Sequence, residues 1–344
     1  MKVLVLTTTG FAPTHTPKLL AQIDYLNSFS DMEITVKKDS CLADVEYLIM
    51  TKDFDCVYPT TVFEYSSDRQ EIISFNRKLY QVLEYHKQLY IGSDLFVHML
   101  LNDKALTNYR CKMSLPSLLL TRELWDKKNS QAINYLSKAP LPAIVKPNTL
   151  AASLGISNAS IAHSKEELLS IIDKQFKTFT NVSELLLEYY LSSAKEFTVS
   201  VTGNNDKILC STTALVSRTE KYEMFSFSNK NLQANQRTIE YSSDIPEYLK
   251  KRLKEKALEL SRILHVRDYS RYDFLMDEQE KLYLIDANSL PALGSNFLLE
   301  YVNQGFINED QILSLLLIVF CKRTNYIYPQ CKNKLSEQML KDIL

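Results

Sequence analysis

The stretch "RYDFLMDEQEKLYLIDANSLPAL", residues 271–293, concentrates the residue types that could do chemistry. Arg271 and Asp273 stand two apart in one apolar run, and Asp286 and Asn288 two apart in the next. Alternate side chains of a strand share a face. Pairing Tyr272 to Met276 with Leu282 to Asp286 as a hairpin therefore brings Asp273, Asp286 and Asn288 together beside Arg271. Three hard oxygen ligands suit magnesium, which keeps several waters and is usually shared with substrate phosphates. A plainer reading stands beside this one, because Asp and Asn also form turns at strand ends. The apolar setting of Phe274, Leu275, Leu284 and Ile285 weighs toward a site, since an acid on an interior strand needs a partner.

A second stretch, "LLLEYYLSSAKEFTVSV" (residues 185–201), runs an apolar strand into Glu188, Tyr189, Tyr190 and Leu191, then a polar bend, then Glu196 at the start of another strand. The bend offers backbone N–H and C=O groups that could pair with the edge of an adenine, and Glu196 could accept from ribose hydroxyls. The plain alternative is a hairpin with charged ends. Three lysines complete the set. Lys146 leaves the end of the buried run Ala143-Ile144-Val145 and begins "KPNTLAASLGIS", a strand-to-loop passage that resembles a phosphate loop but has one glycine; Lys104 and Lys230 lie elsewhere. A single lysine is usually just solvated, whereas two that converge on a metal-binding hairpin would neutralise a polyphosphate from both sides.

The elements that must position these groups follow from periodicity. Residues 1–92 alternate strands (Lys2 to Leu6, Glu33 to Lys37, Asp55 to Pro59, Leu89 to Gly92) with helices carrying Leu19, Leu20, Ile23 and Leu26, then Phe75, Leu79, Val82 and Leu83, on one face. That alternation implies an open parallel α/β lobe. Residues 93–184 read as a small mixed lobe: a helical run through Leu100 and Leu106, a strand from Ala143 to Lys146, and a helix opened by the capping box Ser164-Lys165-Glu166-Glu167. Residues 185–320 are strand-rich (Phe197 to Thr202, Lys207 to Thr212 and the hairpin above). They are interrupted by one helix capped near Asp244 with a stripe of Leu249, Leu253, Ala257, Leu260 and Leu264. Residues 321–344 form a tail. The apolar run Ile312 to Cys321 is too short for a bilayer and predicts a buried helix.

Forty basic against forty-one acidic residues exclude a broad electrostatic surface for nucleic acid or anionic lipid, so an anionic ligand must be met locally. The six cysteines (41, 56, 111, 210, 321, 331) show no Cys-x-x-Cys spacing and read as reduced thiols, with the cytoplasm as the expected compartment. The N-terminal apolar run is too short for a signal-peptide core.

Taken in order, "GSDLFVHMLLNDKALT", "IVKPNTLAASLGIS", "LLLEYYLSSAKEFTV", "RYDF" and "LYLIDANSLP" resemble the ATP-grasp superfamily, most closely its D-alanine–D-alanine ligase-like branch, over residues 90–300. The resemblance implies an α/β and α+β fold of three lobes: an N-terminal open parallel pre-ATP-grasp lobe, and ATP bound between two α+β lobes. It implies Lys104 and Lys146 on the phosphates, Glu188 to Leu191 as the adenine hinge, and Glu196 on the ribose. Asp273, Asp286 and Asn288 would hold magnesium, for which manganese can substitute, with Arg271 at the reacting centre, Ser153 on the lid and Lys230 near a mobile loop lysine. The family's middle metal ligand is more often Glu than Asp.

The reaction implied is phosphorylation of a carboxylate by ATP, then attack of an amine on the acyl phosphate to form an amide. The partners implied are small carboxylate and amine substrates, and dimerisation through the N-terminal lobe is a family expectation. Departures from the family lie on the substrate side. The turn "TTTGFAPTHTPK" lacks the family's glutamate, Pro291-Ala292 replaces Pro-Gly, and the family's carboxylate-anchoring serine falls near Phe297. These argue for an amino acid or amino-acid-like substrate outside plain D-alanyl-D-alanine synthesis. His15, Thr16 and Tyr58 to Thr61 face the expected acceptor region. Two other readings remain open: a ligase loading a carrier protein or peptide terminus, and a catalytically silent ATP-binding protein.

Overall fold

The structure is a computed structural model that describes residues 1–7, 16–60, 63–66, 71–75, 77–127, 130–150, 153–217, 239–294 and 296–344. It opens with β1 (Lys2–Thr7), α1 (Thr16–Asn27), β2 (Glu33–Lys38), α2 (Leu42–Thr51) and β3 (Cys56–Pro59), which form a parallel sheet in the order β2-β1-β3. The hairpin β4 (Phe63–Ser66) and β5 (Glu71–Phe75) follows, then α3 (Arg77–Tyr85). Phe75 therefore ends a strand instead of joining the helical stripe, and Leu20 on α1 is exposed. The expected strand Leu89 to Gly92 shrinks to one bridge, Val57 to Tyr90, because Gly92 turns away at φ 105° and its N–H donates to the buried Asp268 carboxylate at 2.9 Å.

The helical run through Leu100 and Leu106 is two helices, α4 (Leu95–Asn102) and α5 (Lys104–Cys111). Asp103 breaks it with a non-helical backbone and caps α5, its Oδ1 accepting the Leu106 N–H at 2.9 Å. An Asp in this position satisfies an otherwise orphaned amide and favours a new helix start. Next come β6 (Ser117–Thr121), α6 (Arg122–Lys127), α7 (Ser130–Leu136), β7 (Ala143–Pro147), β8 (Ile161–Ala162), α8 (Lys165–Thr178) and β9 (Glu184–Tyr189), with an antiparallel sheet ordered β6-β9-β7-β8. The Ser164 cap is as read, its Oγ accepting the Glu167 N–H, but the reciprocal half of the box is shifted by one residue: the Glu167 carboxylate accepts the His163 N–H.

The largest sheet contains β10 (Lys195–Asn204), β11 (Lys207–Ser217), β12 (Ile239–Ser242), β13 (Tyr269–Met276) and β14 (Leu282–Asn288), ordered β12-β11-β10-β13-β14. Across it packs α9 (Glu247–Leu264), whose stripe Leu249, Leu253, Ala257, Leu260 and Leu264 is fully buried against Phe197, Val199, Tyr272 and Phe274. Each such leucine removed from water contributes about 1.5–3 kcal/mol. Pro246, not Asp244, is the residue at the α9 N-cap, and the Asp244 N–H instead donates to Ser242. Proline there fixes the backbone angle and has no amide to leave unsatisfied.

The chain ends with α10 (Leu299–Asn303), α11 (Ile312–Thr324) and α12 (Glu337–Ile343). Every residue from Ile312 to Cys321 is buried, as the apolar run implies. This helix, together with Cys331, Leu335, Met339 and Ile343, joins the core of the first parallel sheet. The first and last parts of the chain thus share one core, fastened where Arg323 pairs with the fully buried Asp268 at 2.7 and 2.8 Å. Among the described residues, no helix is long and apolar enough to cross a membrane.

Candidate active site

One face of the five-stranded sheet is polar where it meets the four-stranded sheet. Register pairs Thr198 with Asp273 and Asp273 with Asp286, and one step along it pairs Ser200 with Arg271 and Arg271 with Asn288. Directly opposed residues share a face, so Arg271, Asp273, Asp286 and Asn288 stand together, as the hairpin predicts. A register shift at Asp273/Phe274 places Phe274 against Leu284 and leaves Ile285 as an extra residue. That irregularity is why the consecutive Ile285 and Asp286 both line the cleft.

The opposite wall comes from β7 and β9. Ile144 pairs with Glu188, so Ile144, Lys146 and Glu188 face the cleft while Val145, Leu185 and Leu187 enter the core of their own lobe. Lys146 Nζ donates to Glu188 Oε2 at 2.7 Å, both side chains being almost wholly buried at 6% and 3% exposure. Asn108 Nδ2 donates to the other oxygen at 3.3 Å. Lys104 reaches the same space from the first position of α5, its Nζ donating to the Leu150 and Asn148 carbonyls. Burial lowers the Lys104 pKa below the ordinary lysine range; Asp286 works against that shift and Lys146 with it.

Across the cleft the Arg271 guanidinium grips Asp273 with two bonds, Nε to Oδ1 at 3.0 Å and a terminal nitrogen to Oδ2 at 2.9 Å. Thr198 Oγ1 donates to the same carboxylate at 2.9 Å. Burial works against the Arg271 cation, but Asp273, Tyr241 and Asp286 together outweigh it and raise its pKa.

These walls enclose a cleft of about 1150 Å³, counting its open mouth. It is lined by Lys104, Lys146, Ser153, Glu188, Tyr189, Tyr190, Leu191, Glu196, Arg271, Asp273 and Asp286, so residues far apart in the chain converge on one space. Two details refine the expected roles. Glu188 is the buried counter-ion of Lys146, so its carboxylate faces a lysine and not the hinge. The Tyr189 and Tyr190 amides already donate to the Pro116 and Pro142 carbonyls, both at 2.8 Å, so neither is the free hinge amide that the sequence expected.

Asn288 shares the face of Asp273 and Asp286, but its Oδ1 accepts the Leu290 N–H at 2.9 Å in a turn, so the alternative turn role holds for this residue. Among the described residues, no group of three His, Cys, Asp or Glu side chains forms a ready metal cluster. Two carboxylates and an amide nonetheless fit a magnesium ion that takes its remaining ligands from water and phosphate.

Residues 114–317, well over half of the chain, match the family model described as D-ala D-ala ligase C-terminus. The chain belongs to the D-alanine–D-alanine ligase family. A D-alanine–D-alanine ligase of Leuconostoc citreum is 23% identical over 286 residues, covering 81% of this chain and 72% of the relative. One of Desulfotalea psychrophila is 30% identical over 153 residues, 44% of this chain and 45% of the relative, so that match spans less than half the relative's length. The fold matches the crystal structure of the Bacillus anthracis D-alanine–D-alanine ligase complexed with ATP, with a TM-score of 0.68 at 18% identity, covering 94% of this chain and 99% of that one. It also matches the VanG D-Ala:D-Ser ligase of Enterococcus faecalis, with a TM-score of 0.70 at 15% identity, covering 93% and 99%. The ATP-grasp fold read from the motif order is therefore the fold of this chain.

Lys230 lies outside the described residues, as do Ala151, Ala152, His15, Thr61 and the turn from Thr8 to His15. Thr16 starts α1, but its side chain is not among those described. Tyr58 is buried, its ring 6.4 Å from that of Tyr269. Thr60 donates its hydroxyl to the Leu6 carbonyl. Phe297 is 1% exposed and edge-on to Tyr269 at 6.0 Å, so it offers no polar group where the family's serine falls. Ser153 adopts φ 60°, left-handed without being glycine. Thr198, Tyr241 and the apolar Leu115 and Leu215 line the cleft without any motif to announce them. Only strand alternation from Glu196 could have flagged Thr198.

Proposed function

We propose that this chain is an ATP-dependent carboxylate–amine ligase acting on an amino acid or amino-acid-like metabolite. The observation that carries the reading is the convergence of Lys104 and Lys146 from one wall with Arg271, Asp273 and Asp286 from the other on a single cleft. That arrangement suits a magnesium-bound polyphosphate with its reacting end toward Arg271.

In this reading Lys104 and Lys146 would hold phosphate oxygens, and Asp273 and Asp286 would hold magnesium, with the second lone pair of Asn288 Oδ1 available as a third ligand. Tyr190, Leu191 and Glu196 receive the nucleoside. Magnesium, when bound, supplies Lewis-acid neutralisation of the transferred phosphoryl group. A substrate carboxylate oxygen attacks the terminal phosphorus as the bond to the ADP oxygen breaks. The amine then attacks the acyl carbon, loses a proton and expels phosphate. Arg271, charged at every working pH, balances the negative charge that develops on the tetrahedral centre. Asp273 fixes the plane of its guanidinium.

The relatives named above are ligases of D-alanine, which makes D-alanine the first acid to test. The finer reading, that the product is not D-alanyl-D-alanine, rests on the departures at Ala292 and Phe297 and on the turn without glutamate. Purified protein with magnesium and ATP should release phosphate with some acid and amine pair, and mass spectrometry should find the amide. D-alanyl-D-alanine as sole product would overturn the finer reading and leave the ligase standing. Nucleotide binding without turnover across a broad panel, carrier peptides included, would overturn both.

A further inference from the structure

We infer that Asn148 is a positioning residue that sets the phosphate-facing lysine Lys104, an assignment that rests on the ligase reading of the cleft. Asn148 follows the Lys146-Pro147 pair at the end of β7 and is completely buried. Every polar atom of its amide is engaged. Oδ1 accepts the Ala105 N–H at 2.9 Å, and Nδ2 donates to Asp103 Oδ1 at 3.0 Å and to Glu184 Oε2 at 2.9 Å. Its backbone is equally committed: the carbonyl accepts the Lys104 N–H at 3.2 Å and Lys104 Nζ at 3.4 Å, and its own N–H donates to the Glu184 carbonyl at 3.1 Å.

The Asn148 side chain therefore grips the residues before and after Lys104, while its backbone carbonyl holds Lys104 itself. It ties all three to β7, which carries Lys146, and to β9, which carries Glu188. Lys104 is the first residue of α5, where helical amides have no partner within the helix. Asp103 satisfies one of them, at Leu106, and Asn148 takes two more, at Lys104 and Ala105. Without this side chain the Ala105 amide loses its acceptor and Asp103 its tie to β7, so the turn frays and Lys104, held then only through the Asn148 backbone carbonyl, shifts from its place beside Lys146. No other residue type of this size offers both an acceptor for the Ala105 amide and a two-hydrogen donor for two carboxylates. Aspartate would keep the acceptor but place a third carboxylate between Asp103 and Glu184.

The test is the affinity of magnesium with AMP-PNP, a non-hydrolysable ATP analogue, measured by calorimetry. Asn148→Ala should weaken binding about tenfold, the order of one hydrogen bond to a charged group. A role through Lys104 predicts a specific non-additivity. In a Lys104→Met background, Asn148→Ala should change affinity by less than about twofold, whereas a general packing role would weaken it as much as in the wild type. Arg122→Ala serves as a stability control, because it loosens the same lobe at the Phe176, Phe179 and Val182 carbonyls without touching Lys104, and it should leave affinity unchanged. If Asn148→Ala does not fold, Glu184→Ala decides: it removes one Nδ2 partner and should weaken binding about threefold, a part of one such bond. Wild-type affinity in the folded Asn148→Ala, or in Glu184→Ala when that variant decides, would overturn the inference, as would full additivity with Lys104→Met. Failure of the wild-type protein to bind the analogue would instead overturn the ligase reading itself.

Discussion

Lys146 and Glu188 form an ion pair that the cleft almost completely removes from water, and its disruption gives the sharpest test of the site's geometry. Lys146→Met leaves the Glu188 carboxylate with Asn108 Nδ2, at 3.3 Å, as a side-chain donor. Glu188→Leu leaves the Lys146 ammonium with no other ion-pair partner within 4.0 Å among the described residues. Breaking a buried pair from one side costs about 3–5 kcal/mol, because one charge stays desolvated, whereas replacing both by apolar groups is often near neutral. Each single variant should therefore lose about 3–5 kcal/mol, and Lys146→Met/Glu188→Leu should recover most of it. The assay is urea unfolding of the nucleotide-free protein followed by tryptophan fluorescence. The chain has one tryptophan, Trp125, and it packs on the core of the lobe that holds the pair. Two single variants each within about 1 kcal/mol of the wild type, the range of exposed pairs, would refute the burial on which the reasoning rests.

Three further outcomes follow. Asp286→Ala should abolish magnesium-dependent ATP turnover while the urea midpoint stays near that of the wild type, and unchanged turnover would sink the metal assignment. Because burial holds the Lys104 pKa below the ordinary lysine range, AMP-PNP affinity should be full below that lowered value and fall as pH rises through it. The stability sign is the reverse: the folded pKa lies under the unfolded one, so the cost of burying the cation is present at neutral pH and lifts as pH rises. An affinity profile flat to the ordinary lysine pKa would contradict this. Gly155 sits at φ 75°, where an added Cβ would lie only 2.9 Å from Pro147 Cγ. Gly155→Ala should thus cost at least about 1–2 kcal/mol, the left-handed penalty alone, and a wild-type urea midpoint would contradict that packing.

By itself the sequence determined β1 to β3, β7, β9 to β11, β13 and β14, the stripe of α9, the buried run of α11 and the order of the motifs. These depend on local periodicity and on residue type, which a single chain displays directly. The register of Asp273 against Asp286 does not belong here: regular pairing onward from Met276 and Leu282 would set Asp273 against Ile285, and only the bulge brings Asp286 across from it. The break at Asp103 escaped because an Asp between two apolar helices reads equally as an exposed helical residue or as a cap. Leu89 to Gly92 looked like a strand because local propensity cannot show that Gly92 turns toward Asp268, 176 residues away.

Only the tertiary structure decided which partner each charge would have. Lys146 could have met solvent, a phosphate or an acid, and its pairing with Glu188 exists because β7 and β9 lie side by side with Ile144 opposite Glu188. The same is true of Asn148, an ordinary loop residue in the sequence. It becomes the link between Asp103, Ala105 and Glu184 only when α5 and two strands meet around it. Burial turns such encounters into strong preferences: away from water, a polar group without a partner costs more than the ordering needed to supply one.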